Sequence, residues 1–273
     1  MKKIIALLMA AVLMALTFAG CQTKTGKEED STESENNSVV TESDSDYVVK
    51  KGKLVVGITE YAPMDYKEKG SDEWIGFDAE FARAFAKELG VDVEFIVIDW
   101  DNKFLELSSK KIDCIWNGMT ITDEVKLNSN CSNPYVKNAQ VVVMAEDKVD
   151  SYKDVASLAN LSFAVESGSA GEKAAIENEF KYTSVTAQSD ALMEVQAGTA
   201  DACIIDITMA NAMTDEGTSY STLKGCLELS SEEYGVAFRK GSDLTDMFNK
   251  FMVENKDEVV TPLAQKYQLT LAY

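Results

Sequence analysis

Four large apolar residues recur every fourth position, at Phe77, Phe81, Phe85 and Leu89, between two β-rich runs. That arrangement restricts the chain more than any other feature. Spacing of this kind puts apolar side chains on one face of a helix, with Arg83, Lys87 and Glu88 between them, and Gly90 supplies a stop. Residues 53–58 before it and 91–98 after it read as strands, followed by a helix over 104–110 and a buried strand over 112–116. The alternation restarts with strands at 141–145 and 161–166, a helix at 171–179 and a short run at 183–186. A helix at 190–197, strands at 201–205 and 234–240, and helices at 244–254 and 262–267 complete it. Strand–helix alternation argues for parallel pairing, because right-handed crossovers lay helices on the sheet faces. The expected class is α/β: two lobes, each a mostly parallel sheet flanked by helices, with a ligand cleft between them.

The first residues read differently. Met1-Lys2-Lys3, an apolar run from Ile4 to Leu16 and small residues before a break describe a secretory signal peptide, too short to span a bilayer. Thr17-Phe18-Ala19-Gly20-Cys21 resembles the lipobox of bacterial lipoproteins. The resemblance implies cleavage after Gly20, a diacylglyceryl group on the Cys21 thiol, and a disordered acidic tether over 21–50. Two or more acyl chains anchor stably where one does not. The expected location is therefore the extracytoplasmic face of a bacterial membrane, touched through the lipid alone.

A formal net charge of −20 argues against a nucleic-acid partner, and against lying flat on anionic lipid. The chain has no histidine, which removes histidine-based triads and the commonest metal ligand. No metal and no organic cofactor is expected. Cys114, Cys131, Cys203 and Cys226 match no zinc spacing, and four cysteines leave three pairings open. Cys114 and Cys203 lie in apolar runs that suit buried thiols.

Particular residues then point to a family. Residues 111–135 (KIDCIWNGMTITDEVKLNSNCSNPY), G-F-D-A-E-F-A at 76–82, E-S-G-S-A at 166–170 and Y-G-V-A-F-R-K-G-S at 234–242 stand in one order. Together they resemble the solute-binding proteins of polar amino-acid ABC importers. The resemblance implies a two-lobe periplasmic-binding-protein-like fold of type II whose chain crosses twice between lobes. Residues 51–139 and 229–273 would form one lobe and 140–228 the other, closing about a hinge.

The same resemblance implies a site. Tyr61 and Trp100 would wall the ligand with aromatic rings, and Gly118 and Thr120 would meet it with backbone and hydroxyl. Ser169 and Ala170, at a helix start, would offer donors to a carboxylate. Asp206 would receive an ammonium, and Glu166 would lie near the ligand's side chain. Plainer roles stand beside these: core packing for Tyr61 and Trp100, a turn hydroxyl for Thr120, N-caps for Ser169 and Asp206, and a solvated surface carboxylate for Glu166. One position departs from the pattern, since Val125 stands where relatives carry an arginine that clamps the ligand carboxylate.

The expected function is capture of a polar or basic amino acid, or an analogue, by a monomeric protein that delivers it to an ABC permease. The alternatives are a ligand-presenting sensor module, or a dehydratase-like enzyme using Glu166 as an acid.

Overall fold

The computed structural model describes residues 42–273. The signal peptide, Cys21 and most of the acidic tether lie outside the described residues. In chain order the elements begin with α1 (Asp44–Lys51), β1 (Lys53–Ile58), α2 (Phe77–Glu88), β2 (Asp92–Val97) and α3 (Lys103–Ser108). They continue with β3 (Cys114–Ile115), α4 (Asp123–Asn128), β4 (Asn130–Cys131), β5 (Val136–Ala145), β6 (Ser162–Glu166), α5 (Ala170–Glu177) and β7 (Lys181–Val185). The last are α6 (Gln188–Ala197), β8 (Ala202–Asp206), α7 (Ile207–Thr214), β9 (Leu223–Tyr234), β10 (Ala237–Phe238), α8 (Leu244–Glu254) and α9 (Thr261–Lys266).

Two five-stranded sheets result, ordered β2-β1-β3-β10-β4 and β7-β6-β8-β5-β9. Each is mixed, which corrects the expectation of mostly parallel sheets. In the first, β1 pairs in parallel with β2 and β3, while β10 runs antiparallel to β3 and β4. In the second, β6 pairs in parallel with β7 and β8, while β5 runs antiparallel to β8 and β9. The antiparallel strands are those that carry the chain between sheets. It leaves the first sheet between β4 and β5 and returns between β9 and β10, and these passages lie side by side where Val136 faces Tyr234. A strand that crosses and another that returns must run in opposite directions, which alternation along the chain does not reveal.

The apolar stripe of α2 does what its spacing implies. Phe77, Phe81 and Phe85 are fully buried, and Phe81 meets Trp116 edge-on at 5.2 Å between ring centroids. Trp116 in turn meets Phe248 of α8 at 4.8 Å. Gly90 takes φ +72°, the left-handed turn that ends the helix. Each such ring removed from water contributes about 1.5–3 kcal/mol. A second core, under β5 and β6, holds Val142, Met144 and Phe163, with Phe163 stacked on Phe180 at 4.6 Å.

The tether reading fails over its last residues, where α1 forms. Ser43 caps it by accepting from the Asp46 amide, and Gly52 closes it in a left-handed turn. Tertiary contacts hold it: Asp44 pairs with Arg239, Asp243 accepts from the Ser45 amide at 3.0 Å, and Val48 is buried. With only Val48 fully buried in eight residues, the helix has no apolar period to read. The expected strand at 234–240 is also revised. β9 ends at Tyr234, and the two residues of β10 belong to the other sheet. β9 is an edge strand with mostly half-buried and exposed residues, so backbone pairing to β5 defines it rather than an apolar pattern. Cys114, Cys131, Cys203 and Cys226 are free thiols, with Cys114 and Cys203 buried in β3 and β8.

Candidate functional site

The C-terminal ends of the parallel strands converge on one cleft between the sheets, the place where open α/β folds gather ligands. Tyr61 follows β1, Trp100 follows β2 and Gly118 follows β3, while Glu166 ends β6 and Asp206 ends β8. All eight candidate residues, Tyr61, Trp100, Gly118, Thr120, Glu166, Ser169, Ala170 and Asp206, line a single narrow cavity of about 60 Å³.

Their local roles differ from one another. The Tyr61 hydroxyl lies 2.5 Å from Thr208 Oγ1 on α7 and 2.5 Å from the Tyr234 hydroxyl, joining the segment after β1 to α7 and to the end of β9. Gly118 has φ +55°, and a Cβ there would sit 2.6 Å from the Tyr61 ring, so the close approach it permits is to that ring. The Thr120 hydroxyl donates to Glu232 at 3.0 Å. Ser169 does cap α5, accepting from the Glu172 amide at 3.1 Å, and its own proton remains available.

Asp206 begins α7 but makes no side-chain cap bond. Its carboxylate instead accepts from Asn138 and Gln188, and from Gln140 at 2.6 Å. Gln188 also accepts from the Asp206 amide at 2.8 Å. Strand register makes this possible, since Gln140 on β5 lies directly opposite Asp206 on β8. Burial, and then the charge of Glu232, push the Asp206 carboxyl up to about 6.

Glu166 overturns the surface reading. It is 3% exposed, and its Oε1 is buried without a partner. Burial first, and Asp206 second, push its carboxyl up to about 8. A buried ionised carboxylate needs hydrogen bonds or a counter-charge. The cleft thus holds two carboxyls whose ionised forms favour an incoming cation.

Sequence reasoning missed Lys103, Asn117, Asn138, Gln140 and Gln188. Asn138 and Gln140 carried a signal, as polar residues at alternate positions of an otherwise apolar strand, both pointing to one face. Lys103 carried none, because a buried lysine beside Trp100 and Phe104 looks like any surface lysine of an amphipathic helix. Neither arginine of the chain reaches the cleft. Arg83 donates to the Trp74 carbonyl at 2.6 Å, and Arg239 is held by Asp44 and Asp113. Val125 is 3% exposed and packs into the apolar cluster beside Trp100 and Met119. Among the described residues no group of carboxylates and thiols is arranged to hold a metal ion.

The geometry agrees with what the chain is similar to. The arginine-binding extracellular protein ArtP of Bacillus subtilis is 34% identical over 76% of this chain and 82% of its own. The L-cystine-binding protein TcyA of the same organism is 31% identical over 77% of this chain and 79% of its own. An amino-acid ABC transporter substrate-binding protein from Streptococcus pneumoniae, solved with L-arginine, superposes with a TM-score of 0.76 at 30% identity, covering 84% of this chain and all of that one. Residues 54–270 match the model of the bacterial extracellular solute-binding proteins, family 3, and the chain belongs to that family.

Proposed function

We propose that this protein captures an amino acid with a basic side chain, L-arginine in the first instance, and delivers it to an ABC permease. The reading rests above all on Glu166, whose buried, unpartnered oxygen faces a cleft that already contains Asp206. Two carboxylates in one water-poor cavity suit a ligand with two cationic groups, an α-ammonium for Asp206 and a side-chain cation for Glu166. Trp100 and Tyr61 add ring faces that attract cations. Arginine-binding relatives support the same choice.

On this reading the lobes are residues 51–139 with 229–273, and 140–228, and they close about the paired passages near Val136 and Tyr234. Tyr61–Thr208 and Lys103–Gly168 are then contacts of the closed state, and the permease docks on the closed form. The protein sits on the outer face of the membrane through lipid on Cys21. Cys21→Ala is expected to move it from the membrane fraction to the medium, which fractionation of whole cells reads directly.

The test is thermal unfolding of ligand-stripped protein against a panel of amino acids, with polyamines as controls. A ligand at a hundred times its Kd adds about 2.7 kcal/mol to the folded state, roughly 5–10 °C for a chain of this size. A shift with L-arginine or L-lysine and silence with L-glutamine supports the reading. The reverse order defeats it.

Affinity should also depend on pH. Both carboxyls hold their protons more tightly in the folded chain than in the unfolded one, so the free protein loses stability as pH climbs from about 4 to about 8. A cationic ligand stabilises the ionised forms, so it binds more tightly as pH rises through the same window. Lys103 opposes the shift at Glu166, and Asp190 and Glu232 add to the negative field. Titration calorimetry with L-arginine between pH 5.5 and 8.5 is expected to show affinity rising with pH, and Glu166→Gln to flatten the upper half of that rise.

A further inference from the structure

Val125 leaves the cleft without an arginine, yet an amino acid brings a carboxylate that needs a cation or well-placed donors. From the geometry we propose that Lys103 supplies that cation, from α3 instead of α4, and so sets the preference for ligands with a free carboxylate. The inference rests on the amino-acid reading of the same site.

Lys103 lines the cavity together with Val125, Ser169 and Ala170, and it is 5% exposed. Its ammonium donates to two backbone carbonyls, Trp100 at 3.1 Å and Gly168 at 2.9 Å. An ammonium has three donors, so one remains. Among the described residues no carboxylate pairs with it within 4.0 Å. A buried ammonium held by two carbonyls and the ring faces of Trp100 and Phe104 has no ion-pair partner, and burial lowers its proton affinity against the opposing fields of Glu124, Glu166, Asp101 and Glu172. The missing counter-ion is the ligand's carboxylate.

The bond to Gly168 places the ammonium beside the start of α5. There the Ala170 amide is one of the first-turn donors that a helix leaves without an internal partner. The Ser169 hydroxyl lies at the same end. Lys103, Ser169 and Ala170 together make an anion site with a point charge where relatives use a planar fork. Lys173 also borders the cavity, but its side chain is 57% exposed and pairs with Glu177 at 3.7 Å.

The test compares L-arginine with agmatine, the same molecule without its carboxylate, by titration calorimetry on the full chain. Wild type is expected to prefer arginine by at least 100-fold. Lys103→Met should weaken arginine about 10- to 100-fold while leaving agmatine within threefold, the loss of a charge-assisted bond. Lys103→Arg should keep the preference, and restoring a cation at the family position in Lys103→Met/Val125→Arg should recover it. Equal weakening of both ligands by Lys103→Met would make Lys103 a lobe-closing contact only and overturn the inference. So would an undiminished preference in that variant. If wild type binds neither compound, the basic-ligand reading fails instead, and the same variants are then compared on L-glutamine and its methyl ester, which differ in the same charge.

Discussion

Asp206→Asn is expected to weaken L-arginine binding by roughly 30- to several-thousandfold, with little change in the fold. Asp206 is buried and its two oxygens are aimed by Asn138, Gln140 and Gln188. Those three amides fix the carboxylate in place before any ligand arrives, so a cation meeting it has no side-chain ordering left to oppose binding. Removing one partner of a buried, hydrogen-bonded charge pair costs about 2–5 kcal/mol, which is the quoted loss in affinity. The free protein behaves differently. Burial penalises the Asp206 charge, so the neutral amide relieves a cost at neutral pH while misplacing one hydrogen bond. Calorimetry and thermal unfolding on the same sample separate the two effects. A variant that binds within threefold of wild type would remove Asp206 from the ammonium site.

The second large effect lies away from the cleft. Arg239→Met is expected to lower stability by about 3–5 kcal/mol, or roughly 6–20 °C in Tm for a chain of this size, without changing affinity for ligand more than twofold. Arg239 joins three elements. Its Nε donates to Asp44 of α1 at 3.0 Å, one Nη to the Ile112 carbonyl at 2.7 Å, and the other to Asp113 at 3.3 Å. Asp113 is completely buried and also accepts from Lys51 at 2.6 Å and from the Val55 amide at 2.7 Å. Taking the guanidinium away leaves a buried carboxylate with half its charge compensation and frees α1 from the body. None of these partners lines the cavity, which is why binding is expected to survive. Asp44→Asn, which removes only the partly exposed end of the network, should cost far less. Equal losses from the two variants would contradict the account.

The amino-acid sequence by itself determined the α/β layering, because the Phe77-Phe81-Phe85 stripe and the short β-rich runs leave few other ways to bury apolar surface. It also determined the family, through residues 111–135 and their companions. The eight residues proposed for the cleft all came from that resemblance, and all eight line one cavity. Local periodicity stops there, since it records which side chains avoid water and not which strands meet. The mixed pairing of both sheets was therefore decided only in three dimensions. α1 is a helix for the same reason: its stability comes from Arg239 and Asp243, nearly two hundred residues away in the chain.

The chemistry of the cleft divides along the same line. Asp206 was legible as a residue at the end of an apolar strand, but its three amide partners come from β5 and α6. Glu166 looks like any surface glutamate until β6 buries it beside Asp206. Lys103 is the sharpest case. The sequence shows a missing arginine at Val125 and says nothing of a replacement, because the lysine arrives from a different helix and meets the site only through its bond to the Gly168 carbonyl. Burial and counter-charge are properties of a place in space, and side chains from separate elements acquire them only when the tertiary structure brings them together.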